Sequence, residues 1–268
     1  MISPRQHKKG IVALLDALGT AAYRAEEIEE FLKSRDIILR LAEDKAEQVV
    51  LSHGLSIFTF NDTIIIAYAN EQDRLPIPKE CLAFFTLLRK FMMDSLQRGV
   101  LLRGAISIGT FYTNEKNTIM GEAISDAAAW FSRANWIGIY ATPRTTVLLE
   151  GQLTDEQAQP VMLDFEVPMK DGTAPRLKTV NWPKGFWVEQ VAPPKDGRTN
   201  RSKALGWLAK PPIPKGSEDK IFNTIKFLDY ALNKEKKRRS QARAIPIAEV
   251  ASRASITPLP SLRQREDE

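Results

Sequence analysis

Residues Ile11 to Leu15 form an unbroken apolar run that ends on Asp16. A short run of this kind suits a β-strand buried on both faces, with its acidic residue at the mouth of the sheet. A second acidic residue has a comparable setting. Leu51 to Phe60 and Thr63 to Ala69 are two β-rich runs separated by Asn61-Asp62, a dipeptide that accepts positive φ and so fits a tight hairpin. If the first strand and the hairpin are neighbours in one sheet, the two carboxylates face one site. Left bare, such a pair repels and one member is driven toward protonation, whereas paired hard oxygen ligands are a natural seat for Mg2+ or Mn2+.

The remaining periodicities supply the frame. Helical spacing runs from about Tyr23 to Glu47, as one long helix or two short ones, with Ile28, Phe31, Leu32, Leu39 and Leu41 separated by charges. An amphipathic helix follows from Lys79 to Arg98, with Gly99 as its stop. LLRGAISIGTFY reads as a strand continuing through NEKN to a hairpin arm at TIMG, EAISDAAAWFSRAN as an alanine-rich helix, and IGIYATP as a buried strand. The order β, α, β, β, α, β, β, α, β predicts an α+β, ferredoxin-like sheet with helices packed on one face.

Beyond Pro143, TTVLLEGQ can form a helix, and VMLDFEVPMKDG with APRLKTVNWP a peripheral hairpin. Ser217 is placed to cap a helix whose apolar stripe is Ile221, Ile225, Leu228 and Leu232. The division expected is a main domain over 1–190, a helical extension over 191–244, and a loosely ordered tail over 245–268, rich in Pro, Ser and charge.

At 268 residues and 43% hydrophobic content, one main folding unit needs no covalent staples. The single Cys81, inside ECLAFFTLL, reads as a small core residue, and a reducing compartment fits it. IVALLDALG is too short and too acidic for a signal peptide or membrane span, so a cytoplasmic location with no membrane partner is expected. Much of the formal net charge of +5 comes late, from Lys234, Lys236, Lys237, Arg238 and Arg239. A solvated helix end explains that run, and the strand aromatics lack an RNA-binding signature, so no nucleic acid is expected. His7 and His53 each stand alone, outside any metal-ligand spacing.

Four segments, in order, resemble the class III nucleotidyl cyclases. IVALLDALGTA resembles that family's first metal motif, a hydrophobic strand ending Asp-x-x-Gly, with Asp16 and Gly19 in the matching places. FTFNDTIIIAY resembles the second, with Asn61 standing for the usual glycine before Asp62. LLRGAISIG and IMGEAISDAAAWFSRAN, followed by IGIYATP, resemble the family's later strand and helix motifs. The resemblance implies that Asp16, the carbonyl of Ala17, and Asp62 hold two Mn2+ or Mg2+ ions per site. It also implies that the Leu18–Ala21 turn offers N–H groups to phosphate, with Gly19 permitting close approach.

The matched segments depart from a purine cyclase. The usual base-reading lysine falls on Phe58, and the acidic partner on Thr118, which leaves a base stacked on a ring and read by a hydroxyl. Phe58 has a second reading as core. The asparagine and arginine of the helix motif fall on Ser125 and Ala129. Arg133, one turn further if the helix runs over 122–135, is the candidate to replace that arginine, and Arg103 is a second one or a structural ion-pair residue. These departures resemble the pyrimidine cyclases of the bacterial antiphage system called Pycsar. The resemblance implies conversion of UTP, or in some branches CTP, to a cyclic monophosphate that acts on a separate effector, by a homodimer with shared active sites. The alternatives are an inactive nucleotide-binding homologue and a basic nucleic-acid-binding adaptor.

Overall fold

The computed structural model describes residues 6–20, 23–47, 51, 53–113, 118–188, 199–211 and 216–244. The expected tail over 245–268 lies outside the described residues, as does the NEKN segment. The chain divides into two units, Met1–Leu232 and Asn233–Glu268.

In chain order the elements are β1 (Gln6–Ala17), α1 (Ala25–Glu47), β2 (Leu55–Phe60), β3 (Thr63–Ala69), α2 (Pro78–Gln97), β4 (Leu102–Thr113), β5 (Ile119–Met120), α3 (Glu122–Phe131) and β6 (Gly138–Ala141). They continue with α4 (Pro143–Gln152), α5 (Asp155–Ala158), β7 (Met162–Glu166), β8 (Arg176–Val180), α6 (Gly185–Val188), α7 (Asn200–Leu208) and α8 (Glu218–Ala244). The boundaries follow local chemistry. α2 opens on Pro78, whose missing N–H costs nothing in a first turn, and Glu80 accepts the Ile77 N–H at 2.8 Å. It stops at Gly99, whose φ of 80° is the left-handed conformation a helix end favours.

The sheet order is β2-β3-β1-β4-β6-β8-β7, with β5 paired to β4 outside this path. β1 pairs antiparallel with β3 on one edge and with β4 on the other. β4 and β6 run parallel, joined through α3. The β4 strand lies close against β1 at Gly104, where an added Cβ would stand 2.7 Å from the Leu14 carbonyl oxygen.

Alternation along β1 divides the sheet into two faces. Ile11, Ala13 and Leu15 join the main core with Phe31, Ile38 and Ala42 of α1 and Phe84, Phe85, Leu88 and Met92 of α2. Val12 faces the other way, into a smaller cluster with Ala67, Ala69, Phe111 and Ala123. The expectation of helices on one face is therefore corrected: Ala123 of α3 packs on the face opposite α1 and α2. The small Ala123, in contact range of Gly109, lets α3 lie close to the strands. Cys81 is buried as expected, and burial pushes its thiol up to about 12.

The expected boundary near residue 190 falls inside the first unit. Ala204 and Leu208 of α7 and Phe227, Leu228 and Ala231 of α8 belong to the main core. The Phe227 ring sits among Trp136 at 5.1 Å, Phe165 at 5.0 Å and Trp182 at 6.5 Å between centroids. Such contacts join residues far apart in sequence, which periodicity alone cannot show. In the second unit, Glu235 accepts from Arg238 and Arg239, so those two cations of the basic run are ion-paired. Among the described residues, no helix is long and apolar enough to cross a membrane.

Phe227→Ala tests the packing of α8. Removing a fully buried ring shared by three aromatic neighbours is expected to cost about 3–5 kcal/mol in urea unfolding. A loss of about 0.5 kcal/mol, the size of a surface change, would contradict it.

Candidate functional site

Asp16 is the next-to-last residue of β1 and lies between Thr63 of β3 and Arg103 of β4 in the register. Asp62 occupies the β2–β3 turn, and the positive φ of 54° falls on Asn61, as the dipeptide predicts. Two contacts draw the turn onto the end of β1. The Ala17 N–H donates to the Asp62 carbonyl at 3.2 Å, and the Thr20 hydroxyl donates to Asp62 Oδ2. Gly19, with φ of 90°, permits the reversal that carries Thr20 back to the turn. The two carboxylates expected to share a site are thus neighbours, and the charge of Asp62 acts on Asp16.

Arg103 dominates the surroundings of Asp16. Its Nε and Nη2 both reach Asp16 Oδ2, at 3.0 and 2.8 Å, and both side chains are about 15% exposed. Among the described residues, Asp16 Oδ1 receives no hydrogen bond. Burial raises the Asp16 carboxyl above its usual range; Arg103 opposes this by hydrogen bond and charge, Asp62 adds to it, and Lys170 opposes it. Among the described residues, no group of three or more His, Cys, Asp or Glu side chains could hold a metal ion. The donor set is two carboxylates, Asp16 and Asp62. That set suits Mg2+ or Mn2+, which bind through one or two carboxylates and fill the remaining positions with water and phosphate oxygens.

The other expected residues divide into three groups. Phe58, opposite Ile65, packs with Ile65, Ile119 and Ile124 against the smaller apolar cluster. Thr118 is exposed directly before β5, and Ser125 is exposed on α3. Ile119 and Ile124, which pack on the same cluster as Phe58, are the chain neighbours of Thr118 and Ser125. That cluster is on the face of Val12, two pairs of residues along β1 from Asp16.

Arg133 is placed otherwise than expected. α3 ends at Phe131, because the chain turns away to form the Ala134–Met169 bridge and the Asn135 N–H to Pro168 bond of 2.8 Å. Arg133 therefore shares no helix face with Ala129. Its guanidinium lies 4.4 Å from the Trp130 ring centroid and 3.4 Å from Asp171. In the expected phosphate turn the Leu18 N–H is taken by the Leu101 carbonyl at 2.8 Å, and Ala21 lies outside the described residues.

Sequence reasoning missed Thr20 and Lys170. Thr20 carried a weak signal, a hydroxyl four residues after Asp16 in the same turn. Lys170 carried none, because only the folded β7–β8 connection brings its charge to Asp16 and Arg103.

No protein-family model matches the sequence, and no curated protein matches it. Solved structures do. The catalytic core of a rhodopsin-guanylyl cyclase with converted specificity, in complex with ATPalphaS, is similar at 10% identity and a TM-score of 0.45, over 67% of this chain and 98% of that one. The guanylyl cyclase Cya2 is similar at 14% identity and 0.45, over 68% and 94%. The adenylyl cyclase CyaB from P. aeruginosa is similar at 15% identity and 0.39, over 66% and 95%.

The carboxyl of Asp16 in metal-free protein is expected to titrate above 3.8, and higher still in Arg103→Ala. The folded state then binds the proton more tightly than the unfolded state, so stability falls as pH rises from 3.8 through the native value. Asp16→Asn should flatten that slope. A carbon-13 titration that finds Asp16 at or below 3.8 contradicts the assignment.

Proposed function

We propose that this chain is a nucleotidyl cyclase, converting a pyrimidine nucleoside triphosphate to its 3′,5′-cyclic monophosphate and diphosphate. The observation that carries the reading is the meeting of Asp16 and Asp62 at the end of β1 through the Ala17 and Thr20 contacts. Two neighbouring carboxylates, with no hydrogen bond to Asp16 Oδ1 among the described residues, suit a divalent ion and a triphosphate.

Each residue then has a task. Asp16 and Asp62, with the Ala17 carbonyl, would hold two Mn2+ or Mg2+ ions, and Thr20 fixes one oxygen of Asp62. When bound, the ions would lower the pKa of the ribose 3′-hydroxyl and neutralise charge on the phosphates. The 3′-oxygen forms its bond to the α-phosphorus as the bond to diphosphate breaks, the hydroxyl proton passing to water. Arg103 and Lys170, beside Asp16, offer positive charge for the pentavalent α-phosphate and the departing diphosphate. Arg103 stands beside Arg133 as a candidate for the missing arginine, and both are ion-paired, Arg103 with Asp16 and Arg133 with Asp171.

Support for a pyrimidine comes from Phe58, Thr118 and Ser125, which offer a ring and two hydroxyls where a purine cyclase carries other groups. UTP is favoured over CTP on the resemblance alone. The same resemblance supports a cytoplasmic homodimer with shared sites and a product that acts on a separate effector in antiphage defence.

A second reading is a nucleotide-binding protein without activity, and the alanine at position 129 on the exposed side of α3 favours it. Incubation with each of the four triphosphates and Mn2+, with products separated by chromatography, decides between them. The cyclase reading expects cyclic UMP or cyclic CMP, lost by at least about 1000-fold in Asp16→Ala and in Asp62→Ala. Absence of any cyclic product sinks it. Shared sites predict that mixing Asp16→Ala chains with Ser125→Ala chains restores activity if both variants are inactive alone; no restoration counts against sharing.

A further inference from the structure

α1 carries a cation on its buried stripe. Phe31, Ile38 and Ala42 turn into the main core, and Arg35, four residues after Phe31 and three before Ile38, shares their side of the helix. Its side chain is 17% exposed. A guanidinium so far withdrawn from water is costly unless its donors are met. Asp36 Oδ1 accepts from Nε at 3.1 Å and from Nη2 at 2.9 Å, which leaves Nη1 for the rest of the fold. Nη1 donates to the Asn61 carbonyl at 3.3 Å, and so ties α1 to the β2–β3 turn.

The carbonyl it meets belongs to the peptide that leads into Asp62. A peptide unit is planar, so a hydrogen bond to the Asn61 oxygen also orients the Asp62 nitrogen. The peptide after Asp62 is held separately, by the Ala17 N–H on the Asp62 carbonyl at 3.2 Å, and the carboxylate is held by the Thr20 hydroxyl. Those two contacts come from β1 and the turn that follows it, whereas the first comes from α1. Burial does little to fix the tip, because Asn61 is exposed and Phe60 is 75% exposed. The direction of the turn therefore rests on these hydrogen bonds.

We propose that Arg35 is a positioning residue for the carboxylate pair: it holds the peptide before Asp62 and so sets the direction in which the Asp62 carboxylate faces Asp16. The inference rests on the reading of that pair as a seat for divalent ions. Arg35 acts through the backbone of the turn rather than on a ligand.

Arg35→Met keeps the apolar stem and removes the donors, and two measurements on the full chain follow its effect. Hydrogen exchange of the Ala17 amide reads, without metal, whether the turn still sits on β1. It should quicken by about tenfold in Arg35→Met, while Leu15, buried deeper in the strand, keeps its wild-type rate. Water-proton relaxation with Mn2+ and a 3′-deoxynucleoside triphosphate, which cannot cyclise, reads the metal seat. Affinity for Mn2+ should fall by about tenfold, the worth of one charge-assisted hydrogen bond, and Arg35→Lys should stay within about threefold of wild type. A role in stability alone would lower the unfolding temperature and leave the affinity of the folded variant unchanged. Should Arg35→Met not fold, Arg35→Gln, polar but shorter, is read on the same thresholds.

Wild-type Ala17 exchange in the folded variant overturns the proposal, and so does undiminished Mn2+ affinity where the wild type binds the ion. In that case the metal seat stands and the positioning role falls alone. If the wild type binds no Mn2+, the metal reading falls, and the exchange rates decide by themselves whether Arg35 holds the turn. Where cyclisation occurs, the variant should raise the Mn2+ concentration for half-maximal rate more than it lowers kcat.

Discussion

β1 is hydrogen-bonded along both edges, to β3 and to β4, and the site depends on that double pairing. With both neighbours in register, Asp16 has Thr63 on one side and Arg103 on the other, and a slip of one residue would turn its carboxylate to the opposite face. The same pairing brings the β2–β3 turn to the end of β1, where the Ala17 N–H meets the Asp62 carbonyl. Gly104 allows β4 to approach β1 closely beside Arg103. Backbone geometry therefore fixes the positions of the two carboxylates before any side-chain preference acts.

Charge balance then sets what the site can accept. Burial alone would push Asp16 toward its neutral form, and a neutral acid is a poor ligand for a hard cation. Arg103 opposes that push while engaging only one carboxylate oxygen. Asp62 is fixed from a different direction, by the Thr20 hydroxyl. Lys170, brought in by the β7–β8 connection, adds a second cation near Asp16. The result is a small acidic centre with a basic flank, a polarity that matches a metal-bound polyphosphate.

How much of this was legible in the sequence follows the range of each interaction. Asp16 and the Asn61-Asp62 turn were readable because a buried strand and a tight hairpin are local patterns. α1, α2 and the early strands were readable for the same reason. The end of α3 was not, since the chain leaves the helix only to meet Met169 and Pro168, more than thirty residues away. The placement of Arg133 failed with it. The core position of α8 was hidden likewise: its apolar stripe announced a buried face, but Trp136, Phe165 and Trp182 were named as its partners only by the fold. Lys170 could not be read at all, because a single lysine near a turn carries no signal until its neighbours are known.

The central claim is that Asp16 and Asp62 together seat divalent ions, and Mn2+ binding measures it most directly. Titration followed by electron paramagnetic resonance of free Mn2+, in the presence of a non-cyclisable nucleoside triphosphate, should show bound ions in wild type. The Asp16→Asn, Asp62→Asn double variant, folded to the same unfolding temperature, should leave the nucleotide's Mn2+ free of the protein. Undiminished protein-bound Mn2+ in that variant would contradict the account.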